Sequence, residues 1–459
     1  MLGKVLEYDS LKTVLLHLDA DVRFQISRRM PSMRQVEKLV PLKIQYLAFN
    51  EFSTCVNNTV YCLGIYRHYT SEKVPLPIRS QNRNGGARND IDEFGFPVPS
   101  GHSDLLSGDV SYRREGDVPI QHDTERMENY YRRNLKTCKV AKKRYDELTA
   151  NGLTVQEYLD QLGPIADDRA NHEEHEIRMY LRYQEMIDWK IEDLETQLIP
   201  FDCRRNQSKP PFTCYIQLTI YKDNSEKVQL FEYNRKLFEA AKQLNQVLFK
   251  CRTFPIYVSK FDFRTFREIY RLPVEFSLHA SEVDTSKHTI DHKNFNSILK
   301  NSENLKTIEI GGSFDNASHF HHPAIINSKK LVITISFRDE VQGLTRIARE
   351  IRNIDVIFRN FDVEFSPEQY FGLYQSWLSG NRSIGARCSI GLKKEETGKE
   401  VLKLIKIQSE RTKRAKRCIT VFINASTKVE VFYVPLKTDE KRYYSRNCQW
   451  ILKIRIIKA

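Results

Sequence analysis

The sequence contains no stretch of about 20 residues that is free of charged side chains, and this absence excludes a membrane-spanning helix. Glycine and proline are scarce, with 18 and 16 in 459 residues, which excludes collagen-like and low-complexity chains. The opening residues lack the long apolar segment of a secretory signal. The nine cysteines are odd in number and form no C-x-x-C pair, so we expect reduced thiols and a cytoplasmic or nuclear location.

Signatures of catalysis are also missing. No phosphate-binding glycine loop, G-x-S-x-G turn, H-E-x-x-H pair or kinase motif is present, so the sequence indicates no enzyme class, no catalytic residue and no cofactor. His319, His321 and His322, with His288 and His292, form a histidine cluster. Because no cysteine lies nearby in sequence, we interpret this cluster as a solvated loop rather than as a metal site.

The composition that remains is typical of a polar globular protein. The chain has 25 Phe, 22 Tyr and 3 Trp to fill hydrophobic cores, which makes wholesale disorder implausible. At roughly 150 residues per domain, the length predicts about three domains. Lys and Arg outnumber Asp and Glu by 72 to 59, and this net charge of +13 permits contact with nucleic acid or acidic proteins without requiring it.

Residues 1–41 are predicted to form three short helices, with breaks near Asp19 and at Pro31. Their apolar residues recur at the i, i+3, i+4, i+7 spacing of one helix face. Three such helices bury too little surface to be stable alone. The apolar face therefore either binds another protein or packs on the sheet that follows. The residues that we assign to a partner-binding face are Leu11, Val14, Leu15, Leu18, Val22 and Ile26.

The remaining chain predicts an α+β fold in three further parts. Residues 42–120 alternate with period two and then become rich in glycine and proline, which predicts a small antiparallel sheet with a long loop. Residues 121–199 are predicted to form a long helical hairpin, because an a/d seam runs from Ile177 to Leu198. Residues 200–459 alternate helix and strand, which predicts an irregular βα-repeat region like a degenerate leucine-rich solenoid. We assign this last region to substrate binding.

The densest charge cluster lies at residues 393–417, with 10 Lys and Arg against 4 Glu. Such a run is typical of a nuclear import signal or a nucleic-acid patch, or alternatively of a solvated helix face followed by a loop. No aromatic residues are interleaved with the cations to stack on bases. The residues of this possible basic patch are Arg411, Lys413, Arg414, Lys416 and Arg417.

Residues 10–34 combine a leucine-rich helix, an acidic turn at Asp19 and Asp21, and a second apolar run that ends in polar and basic residues. In this order the segment resembles an F-box, although the usual Leu-Pro opening and Cys-x-Trp are absent. Nearly the whole chain looks like a nematode-expanded F-box-like family with an uncharacterised F-box-associated domain. The segments that carry this resemblance are Tyr61–Arg67, Glu93–Phe96, Cys203–Asn206, Lys209–Thr213 and Gln217–Ile220.

The resemblance implies a non-catalytic adaptor. The N-terminal helices would dock on a Skp-type adaptor and link the chain to a cullin-based ubiquitin ligase, while the C-terminal region would hold an unknown substrate protein. Two alternatives stay open. One is a nuclear protein that contacts nucleic acid through residues 393–417, and the other is a scaffold without ligase attachment, whose partner surface is the predicted hairpin at 122–199. No membrane partner is expected.

Overall fold

The chain divides into two compact units in the computed structural model. The first comprises Met1–Thr59, Leu106–Glu115 and Asn245–Ala459, and the second comprises Val60–Leu105 and Gly116–Leu244. The residues that the structure describes are 8–70, 73–100, 104–113, 121–162, 172–263, 269–286, 298–299, 302, 304–311, 320–335, 340–360 and 365–459.

Helices and strands alternate through most of the described residues. The α-helices are α1 (Tyr8–His17), α2 (Ala20–Arg29), α3 (Met33–Lys38), α4 (Leu76–Arg83), α5 (Glu125–Ala150), α6 (Val155–Leu162), α7 (His172–Arg182), α8 (Ile187–Arg205), α9 (Leu237–Phe249), α10 (Pro323–Ile326), α11 (Glu340–Glu350), α12 (Pro367–Leu378) and α13 (Glu395–Gln408). The strands are β1 (Leu42–Asn50), β2 (Ser53–Val56), β3 (Thr59–Tyr69), β4 (Asp90–Ile91), β5 (Pro97–Val98), β6 (Val110–Ser111), β7 (Phe212–Lys222), β8 (Ser225–Glu232), β9 (Ile256–Phe263), β10 (Ile269–Tyr270), β11 (Leu278–Thr285), β12 (Thr307–Gly311), β13 (Lys330–Ile335), β14 (Asp355–Asn360), β15 (Arg387–Leu392), β16 (Thr412–Ala415), β17 (Cys418–Phe422), β18 (Thr427–Pro435) and β19 (Trp450–Lys458).

A mixed sheet forms the centre of the first unit. Its described strands follow the order β2-β1-β9-β11-β12-β13-β14-β15-β19-β18-β17-β16. The pairs from β1 through β15 are parallel. The strands β2 at one side and β19, β18, β17 and β16 at the other are antiparallel to their neighbours. The helices α11, α12 and α13 alternate along the chain with strands of this sheet. The helix α12 packs against both α11 and α13.

The predicted fold class is wrong. The described residues form a sheet-rich α/β architecture that contains both parallel and antiparallel strand pairs. The strand predicted at Leu42 is not part of a small antiparallel sheet, because its parallel neighbour is β9, with Leu42 opposite Ile256. Period-two alternation identifies a strand and its buried face, but it contains no information about a partner more than two hundred residues away.

The comparison with a leucine-rich solenoid is also wrong. Such a solenoid leaves one concave face of its parallel strands open. Here Leu331–Ile335 are buried at every position, which requires cover on both faces. Val332 and Ile357 lie in one hydrophobic cluster with the chain that leads into β19. The residues that cover them are Tyr443, Tyr444, Cys448 and Ile451.

The second unit combines an antiparallel hairpin with packed helices. The strand β7 pairs with β8, and α5 packs against α6, α7 and α8. The predicted long helical hairpin is also wrong. Its second arm consists of two helices, α7 and α8, separated by a 3-10 turn at Gln184–Met186. Gln184 occupies a seam position, where a polar side chain supplies little packing energy. The second helix of that arm then continues through Pro200 to Arg205.

Aromatic side chains fill the core of the first unit beside β1. Phe49 contacts Phe249 at a ring-centroid distance of 5.8 Å and Phe261 at 6.0 Å. Phe24 of α2 joins the same group through Phe249, at 6.0 Å. Edge-to-face contacts of this kind add to the burial of each ring. The N-terminal helices are therefore anchored on the strand that follows them.

Candidate protein-binding surface at the N-terminal helices

The helices α1, α2 and α3 form a small cluster at the start of the chain. The helix α3 contacts α1 and α2, and α2 contacts β1. The second helix ends at Arg29, and Pro31 follows two residues later. Because proline cannot donate a backbone hydrogen bond, the chain turns there and brings α3 back against the first two helices.

A buried ion pair holds this cluster in place. Arg23 of α2 is 1% exposed and donates from Nε to Glu37 Oε1 of α3 at 3.1 Å. Its other donors reach the carbonyl oxygens of Glu37, Val40 and Pro41 at 2.7 to 2.9 Å. Burial lowers the pKa of the Arg23 guanidinium, and Glu37 opposes that effect. Arginine keeps its charge in proteins, so this pair is ionic.

A second arginine, far away in sequence, completes the network. Arg252 donates two parallel hydrogen bonds to the carboxylate of Glu37, at 2.9 and 3.1 Å. It also donates to the carbonyl oxygen of Leu248 at 2.9 Å. The side chains of Arg252 and Glu37 are 4% and 2% exposed. Glu37 is thus shared by two buried guanidinium groups, and the first three helices are tied to the end of α9.

The predicted partner-binding residues are distributed over both sides of the cluster. Leu15 points inward and is 1% exposed, whereas Val14 is 45% exposed. The other four are partly buried: Leu11, Leu18, Val22 and Ile26. The i, i+3, i+4 spacing defines an apolar stripe, but Leu15 lies at its centre and is used for internal packing. Val14 at the margin of the stripe stays accessible.

Sequence reasoning missed three exposed apolar residues here. Leu16 of α1 is not among the residues predicted for the partner-binding face, yet it is apolar and 44% exposed. Met30 and Leu39 are 51% and 40% exposed. Both lie one or two residues before a proline, at the point where the chain leaves its helix, and this position is a signal that could have found them. We define the N-terminal apolar surface as Val14, Leu16, Met30 and Leu39.

The predicted basic patch lies on the outer strand of the first unit. Arg411, Lys413, Arg414 and Lys416 are exposed on or beside β16, which pairs only with β17 among the described strands. No ion pair joins Arg411, Arg414 or Lys416 to another residue of the described chain. Charged side chains on an edge strand also have a structural role, because they discourage pairing with another chain.

Arg417 is engaged differently from the other members of the patch. Its guanidinium lies 3.0 Å from the carboxylate of Glu395 and 4.8 Å from the ring centroid of Trp450. Lys413 lies 5.7 Å from the ring centroid of Phe422 on the paired strand. The structure therefore places aromatic rings beside two of the cations, although none is interleaved with them in sequence.

The helices proposed as a scaffold surface carry a shallow groove on α5. It has a volume of about 510 Å³. Its apolar lining comes from Leu135, Val140 and Leu198, and its rim from Arg132, Lys136, Lys139 and Lys143. Several of these cations already pair with carboxylates, as Lys139 does with Glu195 at 2.8 Å. Use of this groove by a partner stays a prediction.

The histidine cluster lies largely outside the described residues, which include only His321 and His322 of its members. His322 caps α10 by accepting a hydrogen bond at Nδ1 from the backbone N–H of Ala324, at 3.2 Å. Burial lowers the pKa of this imidazole. Among the residues that the structure describes, no three His, Cys, Asp or Glu side chains are grouped as a metal site requires. Likewise, none of the helices in the described ranges is long and apolar enough to cross a membrane.

Comparison with known proteins identifies one domain. A family model described as a domain of unknown function, DUF3557, matches residues 236–394. This stretch begins just before α9 and includes the strands from β9 to β15. The chain thus contains an uncharacterised domain, and the match begins well after the N-terminal helices. No curated protein and no solved structure matches the chain.

Proposed function

We propose that this chain is a non-catalytic, substrate-recruiting adaptor of the cytoplasm or nucleus. In this proposal α1, α2 and α3 form an F-box-like element that binds a Skp-type adaptor, and the region from 200 to 459 holds a target protein. The observation that carries the proposal is the N-terminal apolar surface. Its four residues are between 40% and 51% exposed. The helices that bear them are held in place by the buried ion pairs of Glu37 with Arg23 and Arg252.

A rigid base with exposed apolar side chains favours binding over internal packing. Isolated exposed apolar residues are common, but several on one short helical cluster are typical of interaction sites. The helices need no rearrangement to present these side chains, so little ordering entropy opposes binding. The chain itself would make no bond. It would raise the effective concentration of a substrate lysine near a charged conjugating enzyme.

Co-purification with a Skp-type adaptor tests this proposal. We expect the wild-type chain to bind the adaptor. Val14→Asp with Leu16→Asp should weaken binding about a hundredfold, because the two positions cover different sides of α1 and a charge on the contacted side would be buried in the contact. Both positions are exposed, so the double variant should keep the wild-type melting temperature. Ile407→Asp is the matched control, since Ile407 on α13 is 79% exposed and lies outside the N-terminal apolar surface.

Two outcomes would contradict the adaptor proposal. One is a wild-type chain that does not bind a Skp-type adaptor at micromolar concentrations. The other is a Val14→Asp, Leu16→Asp double variant that binds as tightly as the Ile407→Asp control. In the second case the contact would lie elsewhere on the chain.

A second candidate function is nucleic-acid binding by the basic patch. It is favoured by Arg411, Arg414 and Lys416, which are exposed and make no ion pair within the described chain. Binding should fall steeply with salt, and Lys413→Glu with Arg414→Glu should reduce the salt dependence by a slope of about 2. Lys437→Glu with Lys441→Glu makes the same charge change outside the patch. Equal mobility shifts for the two double variants would exclude this function.

A further inference from the structure

The strand β8 is exposed along its whole length. Each of its eight residues, from Ser225 to Glu232, is exposed to solvent. One edge pairs with β7, from Tyr215 opposite Glu232 to Lys222 opposite Ser225. Within the part of the chain that the structure describes, no strand pairs with the other edge. A free edge of this length usually carries protection against pairing with another chain.

The turn before β8 determines which backbone groups face outward. Two residues, Asp223 and Asn224, connect the strands, and Asp223 has a positive φ of 51°. A two-residue hairpin closes on a hydrogen-bonded pair, here Lys222 with Ser225, and hydrogen-bonded pairs alternate along an antiparallel ladder. The odd-numbered residues of β8 therefore bond to β7. The even-numbered residues direct their N–H and C=O groups outward.

Apolar side chains occupy the middle of this free edge. Val228, Leu230 and Phe231 are 48%, 46% and 50% exposed. The charged residues Glu226, Lys227 and Glu232 lie towards the two ends. The centre of the strand therefore lacks the charges that normally block edge-to-edge contact. It offers both backbone hydrogen bonds and apolar area to an added strand.

The order of side chains along β8 makes the strand complementary to itself. An antiparallel copy with Gln229 opposite Gln229 places Val228 opposite Leu230 and Lys227 opposite Phe231, each pair occurring twice. Directly opposite residues lie on the same face of a sheet, so these side chains meet. Two apolar pairs and two cation–aromatic pairs result. Glu226 then lies opposite Glu232 at both ends, where solvent screens the repulsion.

We propose that β8 pairs with β8 of a second copy of this chain, antiparallel and in register on Gln229. The contact is isologous, as in most homodimers, and it satisfies the outward N–H and C=O groups of both strands. A single eight-residue edge buries less than the roughly 800 Å² per partner of a standard interface. The dimer is therefore weak, with a dissociation constant on the order of tens of micromolar.

Cysteine cross-linking tests both the dimer and its register. In this register Gln229 faces its own copy in a non-hydrogen-bonded pair, with the Cα atoms about 4.5 Å apart. That distance suits a disulfide. Lys227 lies four residues, or about 13 Å, from Lys227 of the copy, which is too far. In a Cys251→Ser background, which removes an exposed native thiol, Gln229→Cys should cross-link under mild oxidation at least tenfold faster than Lys227→Cys.

Sedimentation of the full chain supplies an independent measurement. The wild-type protein should shift from monomer to dimer between 5 and about 200 µM, as a dissociation constant in the tens of micromolar requires. Val228→Lys with Leu230→Lys should remain monomeric, whereas Glu226→Gln with Glu232→Gln should tighten the dimer at least threefold. The proposal is overturned by a monomer at about 200 µM, by a dimer that survives the double lysine variant, or by equal cross-linking at positions 227 and 229.

Discussion

Replacement of Glu37 by leucine should leave two buried guanidinium groups without their shared carboxylate. Removing one partner of a buried ion pair costs about 3–5 kcal/mol, because the remaining charge is unpaired and cut off from water. Arg23 and Arg252 are both less than 5% exposed in their side chains, so solvent cannot replace the carboxylate. Each retains backbone carbonyl acceptors, which limits the loss. We therefore expect the free energy of unfolding to fall by about 4 kcal/mol.

Urea unfolding followed by tryptophan fluorescence measures this loss. With a slope near 3 kcal/mol per molar, the transition of the first unit should move down by about 1 to 2 M urea. Asp9→Ala breaks an exposed pair with Lys12 and should leave the midpoint unchanged, because such pairs contribute little.

A Glu37→Leu variant that loses less than about 1 kcal/mol of unfolding free energy would contradict this prediction, since at least one guanidinium would then have to be solvated. The triple variant Arg23→Met, Glu37→Leu, Arg252→Met removes all three charges together. It should recover at least half of the lost stability, because no buried charge is then left unpaired.

Three smaller predictions follow from other sites. A Cβ on Gly64 would clash with the backbone carbonyl oxygen of Gly85, so Gly64→Ala should destabilise the second unit by more than about 2 kcal/mol in thermal melts. Gly372 lies in the open middle of α12, so Gly372→Ala should be neutral or stabilising by up to about 1 kcal/mol in the same measurement. The ammonium group of Lys260 lies 2.9 Å from the carboxylate of Asp284. Burial raises the pKa of the Asp284 carboxyl, but hydrogen bonds from Ser286 and Lys260 outweigh this effect and lower the pKa below its usual range. This stabilisation is fully present above the unfolded pKa and is lost as the pH falls through the folded one. Lys260→Met should therefore cost about 1 kcal/mol at pH 7 and progressively less as the pH falls below about 4, the ordinary pKa of an aspartate, as measured by denaturant titrations across that range. Among the nine cysteines only Cys251 is exposed, so a thiol reagent should label one site rapidly in the native protein and none in Cys251→Ser.

The N-terminal helices show how much of the structure residue spacing can predict. Helices occur at Tyr8–His17, Ala20–Arg29 and Met33–Lys38, within the segment whose apolar spacing is helical. Spacing alone did not distinguish Leu15, which is buried, from Val14, which is exposed. That difference depends on how α1 packs against α3, which Arg252 holds in place through Glu37. Arg252 lies far along the chain, and no local pattern encodes this contact.

Buried charges were beyond sequence reasoning for a related reason. Arg23, Glu37 and Arg252 look like ordinary surface residues, because charged side chains are rarely buried unless they are paired. Their pairing joins positions separated by 215 residues, as in the bond from Arg252 to Glu37. The same holds for Arg417, whose aromatic neighbour Trp450 lies on the antiparallel strand β19.

The sequence by itself determined the local character of its segments: an amphipathic helical start, period-two runs, and a cation-rich stretch before the last strands. These properties depend on side chains within a turn or a strand of one another. Only the tertiary structure decided that β1 lies beside β9, that β13 and β14 are covered on both faces, and that β8 remains open. Those outcomes depend on contacts between distant residues, whose free energy is gained only when the whole sheet has assembled.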